Sequence, residues 1–433
     1  MRNMKISEKL TPYVLFTSLS LAGIITFFLF ALVSGSDAFA WVMMRNTGVL
    51  YSLDYFQHML FTAYPEAIYV IANGVWGVFP PLAYVFYRFM FLLTFNGVLP
   101  TLGSGWPGWL ELAATEHART VFLYYSICVA LLLAYAVNVW KKGNNHHKRL
   151  IICLLFSVPF FAGGFERGNS VMVVLPLLLI ALKWRDSESK LERELAMIFI
   201  AVCAGLKIYP AIFGLLYIKE KRFKEAFRLL GYGIAFFFVP FLFFGGKNAF
   251  LLWLFNIIEA TKTESLGRLE YFKGVACTLI YLVTGNSLPN LEVIITNLCL
   301  VLMILFFFIS GDKYRTVFYL CCCMTFFPIN AHRYTLSYLA IPLVMYLMEN
   351  GSKPEKDVFT IIEIVEYSFL FTIPTFWGLL TGFGLLFSEI SPHLTYVEFW
   401  IYIVAYSLLM TTMVHEVVHL VAKKLNADSI QQI

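Results

Sequence analysis

Four basic residues interrupt long apolar stretches of this chain: Arg167, Lys207, His332 and Arg333. Two carboxylates, Asp37 and Asp54, follow its first apolar run. Ionisable groups within membrane-embedded sequence are costly and mark functional sites. Arginine and lysine hold phosphate charge, and a carboxylate can take the proton of an attacking hydroxyl. Together they suit a lipid-phosphate substrate, with Asp54 as the base. Asp37, after Gly35-Ser36, is the second candidate and also reads as a helix cap. The basic residues sit in polar knots: Glu166-Arg167-Gly168-Asn169, Lys207-Ile208-Tyr209-Pro210, and Pro328-Ile329-Asn330-Ala331-His332-Arg333-Tyr334. Glu166, Asn169, Tyr209 and Tyr334 therefore join the substrate-binding set. Glu166 beside Arg167 also reads as a local ion pair, and Tyr209-Pro210 as a break that tips Lys207 out of its helix.

The elements that must position these residues are membrane helices. A chain of 433 residues that is 60% hydrophobic and 14% charged is an all-α, polytopic transmembrane protein. We expect one integral membrane domain over residues 1–433, with about 11–14 membrane segments including broken hairpins. Basic segments at Lys141–Arg149, Lys183–Arg193 and Lys219–Arg228 bracket the first two knots, and Lys313–Arg315 and Lys353–Lys356 bracket the third. Positive charge marks the cytoplasmic side. Each apolar run between these segments must then leave that side and return to it. From Leu150 to Leu182 this gives two arms of about 14 residues, roughly 21 Å each. That is less than the hydrocarbon core of about 30 Å, so the knots become tips inside the bilayer, near the outer leaflet.

Tyr13–Ser34 reads as a first transmembrane helix with its N-terminus inside. Residues 35–79 mix Asp, His and Glu with Trp and Tyr, which suits an outer-face loop with short amphipathic helices. A parity problem follows. Three full spans up to Trp140 would put Lys141–Arg149 outside, so either Leu82–Phe95 does not cross in full or a further segment does. All eight cysteines fall inside apolar runs, without a CxxC pair or disulfide framework. The net charge of +5 sits in short loops, which speaks for topology and against nucleic-acid binding.

Phe165-Glu166-Arg167-Gly168-Asn169, then Ala204-Gly205-Leu206-Lys207-Ile208-Tyr209-Pro210-Ala211 and the Lys219–Lys224 loop, resemble glycosyltransferase family 87. Leu53-Asp54-Tyr55-Phe56-Gln57-His58 and Phe79-Pro80-Pro81-Leu82-Ala83-Tyr84 resemble that family's outer loop and the start of its next helix. His332-Arg333-Tyr334 resembles a basic-aromatic element late in the core. The likeness extends roughly from Asp37 to Leu347. It implies a GT-C fold and transfer of a hexose, mannose by default, from a polyprenyl-phosphate donor to a lipid-linked or cell-envelope acceptor. It places the reaction on the extracytoplasmic side of the cell membrane, with no cofactor. It makes Asp54 the general base, and it sets Arg167, Lys207, His332 and Arg333 on the lipid phosphate or sugar. The spacer holding Glu66–Trp76 departs from the family and keeps Asp37 as the alternative base.

Two other readings remain. Broken helices with charged tips also build secondary transporters or lipid-carrier flippases, although no inverted repeat is visible. His415-Glu416-Val417-Val418-His419 fits the H-E-x-x-H zinc motif of intramembrane proteases. It stands beside Lys423-Lys424 without a third ligand, so no metal is assigned, and His415, Glu416 and His419 form the weaker alternative.

Overall fold

A computed structural model of the protein describes residues 11–34, 53–65, 68–70, 77–95, 112–113, 115–141, 147–165, 167–261, 266–328, 333–372 and 396–430. Helices carry nearly all of them, and no strand occurs among them. In lipid the backbone must satisfy its own polar groups, and a helix does so within one segment. In chain order the helices are α1 (Pro12–Ser34), α2 (Leu53–Thr62), α3 (Pro81–Phe95), α4 (Glu116–Val139), α5 (His147–Leu155), α6 (Val171–Trp184), α7 (Lys190–Leu206), α8 (Gly214–Lys219), α9 (Phe223–Phe238), α10 (Lys247–Ala260), α11 (Phe272–Thr284), α12 (Pro289–Ile309), α13 (Lys313–Phe326), α14 (Ala340–Glu349), α15 (Val358–Phe371) and α16 (Tyr396–Ile430). Five stretches among the described residues are long and apolar enough to cross a membrane: Pro12–Leu29, Glu116–Val139, Phe223–Phe244, Pro289–Ile309 and Trp400–Lys424. This is a polytopic, all-α membrane protein.

The helices sort by what surrounds them. α6, α13 and α14 are buried on nearly every side, from Val171 to Leu182, from Arg315 to Phe326 and from Ala340 to Leu347. Helices of that kind belong at the centre. α4, α9 and α12 instead expose large apolar residues such as Leu131, Phe227 and Val301, as a lipid-facing surface does.

All three polar knots interrupt helices. After α5, a π-helical turn over Val158–Phe165 leads into Arg167-Gly168-Asn169, and α6 then starts at Val171. α7 ends at Leu206, Lys207 is extended at φ −145°, and a 3₁₀ turn over Tyr209–Phe213 feeds α8. Proline has no N–H to continue the α-helical ladder, which explains this break at Pro210. α13 ends at Phe326, and a 3₁₀ turn over Arg333–Leu339 begins the return through α14.

The opposite ends of these hairpins meet on one face. Asp186, after α6, bonds Lys313 at the start of α13 (2.9 Å) and Arg222 just before α9 (3.1 Å), while Arg185 pairs with Glu220. α4 also ends on this face, where Lys183 Nζ lies 5.0 Å from the Trp140 ring centre. α1 starts by the α14–α15 loop, through Tyr13 N–H to Gly351 O at 3.0 Å. The basic segments thus share a face, as their charge required. α3, with 15 residues or about 22 Å, is shorter than the hydrocarbon core of about 30 Å. It fits a segment that does not cross in full, one of the two ways out of the parity problem; the other, a further crossing segment, falls largely outside the described residues.

Candidate active site

The far ends of the hairpins gather around Asp54, in the first turn of α2. A carboxylate there faces the positive end of the helix dipole. The Tyr55 N–H of the same turn donates to Arg167 O at 3.0 Å, which locks α2 to the first knot. Arg167 Nη2 reaches Asp54 Oδ1 at 2.5 Å, and Asn169 Nδ2 reaches Oδ2 at 2.6 Å. Asn169 Oδ1 in turn accepts from Val171 N–H at 3.0 Å, so one amide caps α6 and holds Asp54. Burial alone would raise the Asp54 pKa. The Arg167 charge, with its hydrogen bond and that of Asn169, outweighs burial and holds the carboxyl well below the usual range.

Gly168 makes this geometry possible. Its φ is +63°, and a Cβ there would lie 2.6 Å from Tyr55 Cβ and 2.7 Å from Phe122 Cε2. Tyr87 pins the same turn from α3, its hydroxyl accepting from Ser170 N–H at 3.1 Å.

Lys207 closes the site from the second knot. Only 3% of the residue is exposed, and its ammonium lies 3.5 Å from the Phe79 ring centre and 5.7 Å from that of Tyr334. Among the described residues it has neither a hydrogen-bond nor an ion-pair partner. The Arg167 guanidinium also lies 6.0 Å from the Tyr334 ring centre. α10 braces the approach to Phe79: Trp253 Nε1–H donates to Val78 O at 3.1 Å, and Asn256 Nδ2 donates to Tyr69 O and Gly77 O.

Of the residues singled out from sequence, the structure joins Asp54, Arg167, Asn169, Lys207 and Tyr334 in one cluster. Tyr209 is half-buried beside it, its ring 6.0 Å from that of Tyr338. Arg333 is wholly buried at the start of its 3₁₀ turn and makes no ion pair with Asp54. Asp37, Glu166 and His332 lie outside the described residues. His58 carried no assignment from sequence, yet it belongs to the cluster. It is 5% exposed, its ring is 4.2 Å from Phe79 and 5.0 Å from Tyr87, and its Nδ1 has no hydrogen-bond partner among the described residues. Its spacing four residues after Asp54 on a helix was the available signal, because such residues share a face.

The H-E-x-x-H residues do something else. His415 is buried between Glu363 (3.0 Å) and Asp357 (3.0 Å), with Arg315 Nη2 at 2.8 Å from its ring. Glu416 accepts from Ser310 Oγ at 3.1 Å and lies 3.7 Å from Arg315. His419, one turn on, is exposed. The His415 ring nitrogens are thus engaged by Glu363, Asp357 and Arg315, and among the described residues no group of three His, Cys, Asp or Glu side chains is placed to hold a metal ion. The donor set does not fit a metal and reads as an ionic clamp between α13, α15 and α16.

The family model of glycosyltransferase family 87 matches residues 106–330, just over half of the 433-residue chain. The chain belongs to glycosyltransferase family 87. No curated protein matches it. The matched region runs from before α4 through the first two knots and into the third, so Arg167, Asn169 and Lys207 lie within it, Asp54 lies before it and Arg333 and Tyr334 after it. Membership makes the protein a membrane glycosyltransferase, an enzyme that joins a sugar from a donor to an acceptor.

Proposed function

We propose that the enzyme transfers a hexose from a polyprenyl-phosphate carrier to a lipid-linked or cell-envelope acceptor on the extracytoplasmic face of the cell membrane. Residues 1–433 would form one membrane domain, with residues 35–79 at the outer surface. Mannose is the sugar the family resemblance suggests first. The observation that carries this reading is the Lys207 ammonium, buried near the Asp54–Arg167 pair with no ion pair of its own within 4.0 Å among the described residues. A buried charge without a partner is costly, and a donor phosphate would neutralise it. Next to the Lys207 break, an apolar groove of about 540 Å³ runs between α7, α8 and α9. Ala204, Ala211, Ile212, Leu215, Phe227 and Leu230 are among its walls, which suits a prenyl chain.

The chemistry is an inverting displacement. The acceptor oxygen attacks the sugar C1 as the bond from C1 to the phosphate oxygen breaks. Asp54 takes the acceptor proton. The departing prenyl phosphate gains a negative charge, which Lys207 and Arg167 stabilise. Tyr334 and Asn169 hold these groups in place, and the Arg333 cation and His332 belong to the same substrate-binding set. The test is transfer by purified enzyme in liposomes with polyprenyl-phosphate sugars as donors. Wild type should transfer, and Lys207→Met should raise the donor KM at least tenfold. Transfer from nucleotide sugars alone would overturn the reading.

A further inference from the structure

The carboxylate proposed as base is occupied: Arg167 covers Oδ1 at 2.5 Å and Asn169 covers Oδ2 at 2.6 Å. A carboxylate held this way is a poor proton acceptor, since each charge-assisted bond stabilises its ionised form. The cluster is also unbalanced, with Arg167 and Lys207 against Asp54 alone among its described members. Arg167 is the more accessible partner of the pair, 16% of its side chain being exposed against 6% for Asp54. It stands in a break between a π-helical turn and a left-handed glycine, outside any helix.

We propose that Arg167 is a counter-ion exchanged between Asp54 and the donor phosphate, so that donor binding uncovers the base. Resting on the donor reading above, this means the phosphate first engages Lys207 and then draws the guanidinium off Asp54 Oδ1. Asn169 keeps Oδ2, and the freed Oδ1 faces the acceptor hydroxyl. The consequence is an order of events. Without donor, Asp54 cannot activate an acceptor or water, and the enzyme is protected from idle proton transfer. After sugar transfer, release of prenyl phosphate returns Arg167 to Asp54 and resets the site.

The test is the affinity for geranyl phosphate, measured by titration calorimetry in detergent on the whole protein. The pair must break on binding, so Asp54→Asn, which removes the competing charge at unchanged shape, should tighten binding about tenfold, the scale of a coupling of 1–2 kcal/mol. In an Arg167→Met background the same change should tighten it less than about threefold, because only repulsion by Asp54 is then relieved. Arg167→Gln serves as a second background if the Met variant unfolds. Equal tightening in both backgrounds, or none in the wild-type one, would overturn the exchange while leaving the lipid-phosphate reading standing. No binding of geranyl phosphate to wild type would overturn both.

Discussion

Gly168→Ala perturbs the site without removing any group proposed to do chemistry. At φ +63° an alanine pays about 1–2 kcal/mol for the left-handed conformation. Its Cβ would also stand 2.6 Å from Tyr55 Cβ and 2.7 Å from Phe122 Cε2, atoms belonging to α2 and α4. Neither is the far end of a flexible chain, and overpacking of this kind adds about 1–3 kcal/mol. The total, about 2–5 kcal/mol, exceeds what a small shift of the knot would cost, so the knot should move. Arg167 and Asn169 flank Gly168 and would move relative to Asp54. A displacement near 1 Å costs about a hundredfold in rate. Unfolding of the purified variant by heat, together with its transfer rate at saturating donor, reads both effects. A lowered midpoint and a kcat reduced by about two orders of magnitude are expected. A variant as stable and as fast as wild type would show that the glycine does not hold this geometry.

Two further outcomes follow from the opposite face. His415→Ala leaves Glu363 and Arg315 with a buried gap and should destabilise the protein by about 3 kcal/mol; the surviving folded fraction should retain transfer, and zinc measured by mass spectrometry should not change. For Asp186, burial raises the pKa, but Arg185 and Lys313 outweigh it and hold the carboxyl below its usual value. A depressed folded pKa means stability that is complete above the ordinary carboxylate range near pH 4 and is lost as pH falls through the folded value. Asp186→Asn should therefore flatten the acid limb of thermal stability, and an unchanged limb would show that the carboxylate contributes nothing.

Much of this architecture could be read from the chain because charge in an apolar run has few explanations. Arg167 and Lys207 stood out for that reason, and three of the basic segments do meet at Asp186, through Arg222 and Lys313. Other features escaped because they depend on packing between distant segments. His58 looked like one more polar residue in an aromatic-rich loop. Only the fold places its ring against Phe79 and Tyr87. Asn169 was legible as a neighbour of Arg167, but its two hydrogen bonds, donated to Asp54 and accepted from Val171 N–H, depend on the fold. The H-E-x-x-H pattern, kept only as a weaker alternative, shows the limit of spacing alone. Spacing along a helix sets its residues four apart, yet it says nothing of Arg315 on another helix, and that guanidinium decides what His415 touches. The shortness of α3 was visible in the chain, and the helix found there has 15 residues.

The central claim is that Asp54 takes the acceptor proton while the cations beside it hold the donor phosphate. Its most direct test is Asp54→Asn in purified enzyme, with sugar transfer and prenyl-phosphate affinity measured on the same preparation. Transfer should fall to background while affinity is kept or tightened; transfer persisting near the wild-type rate would contradict the claim.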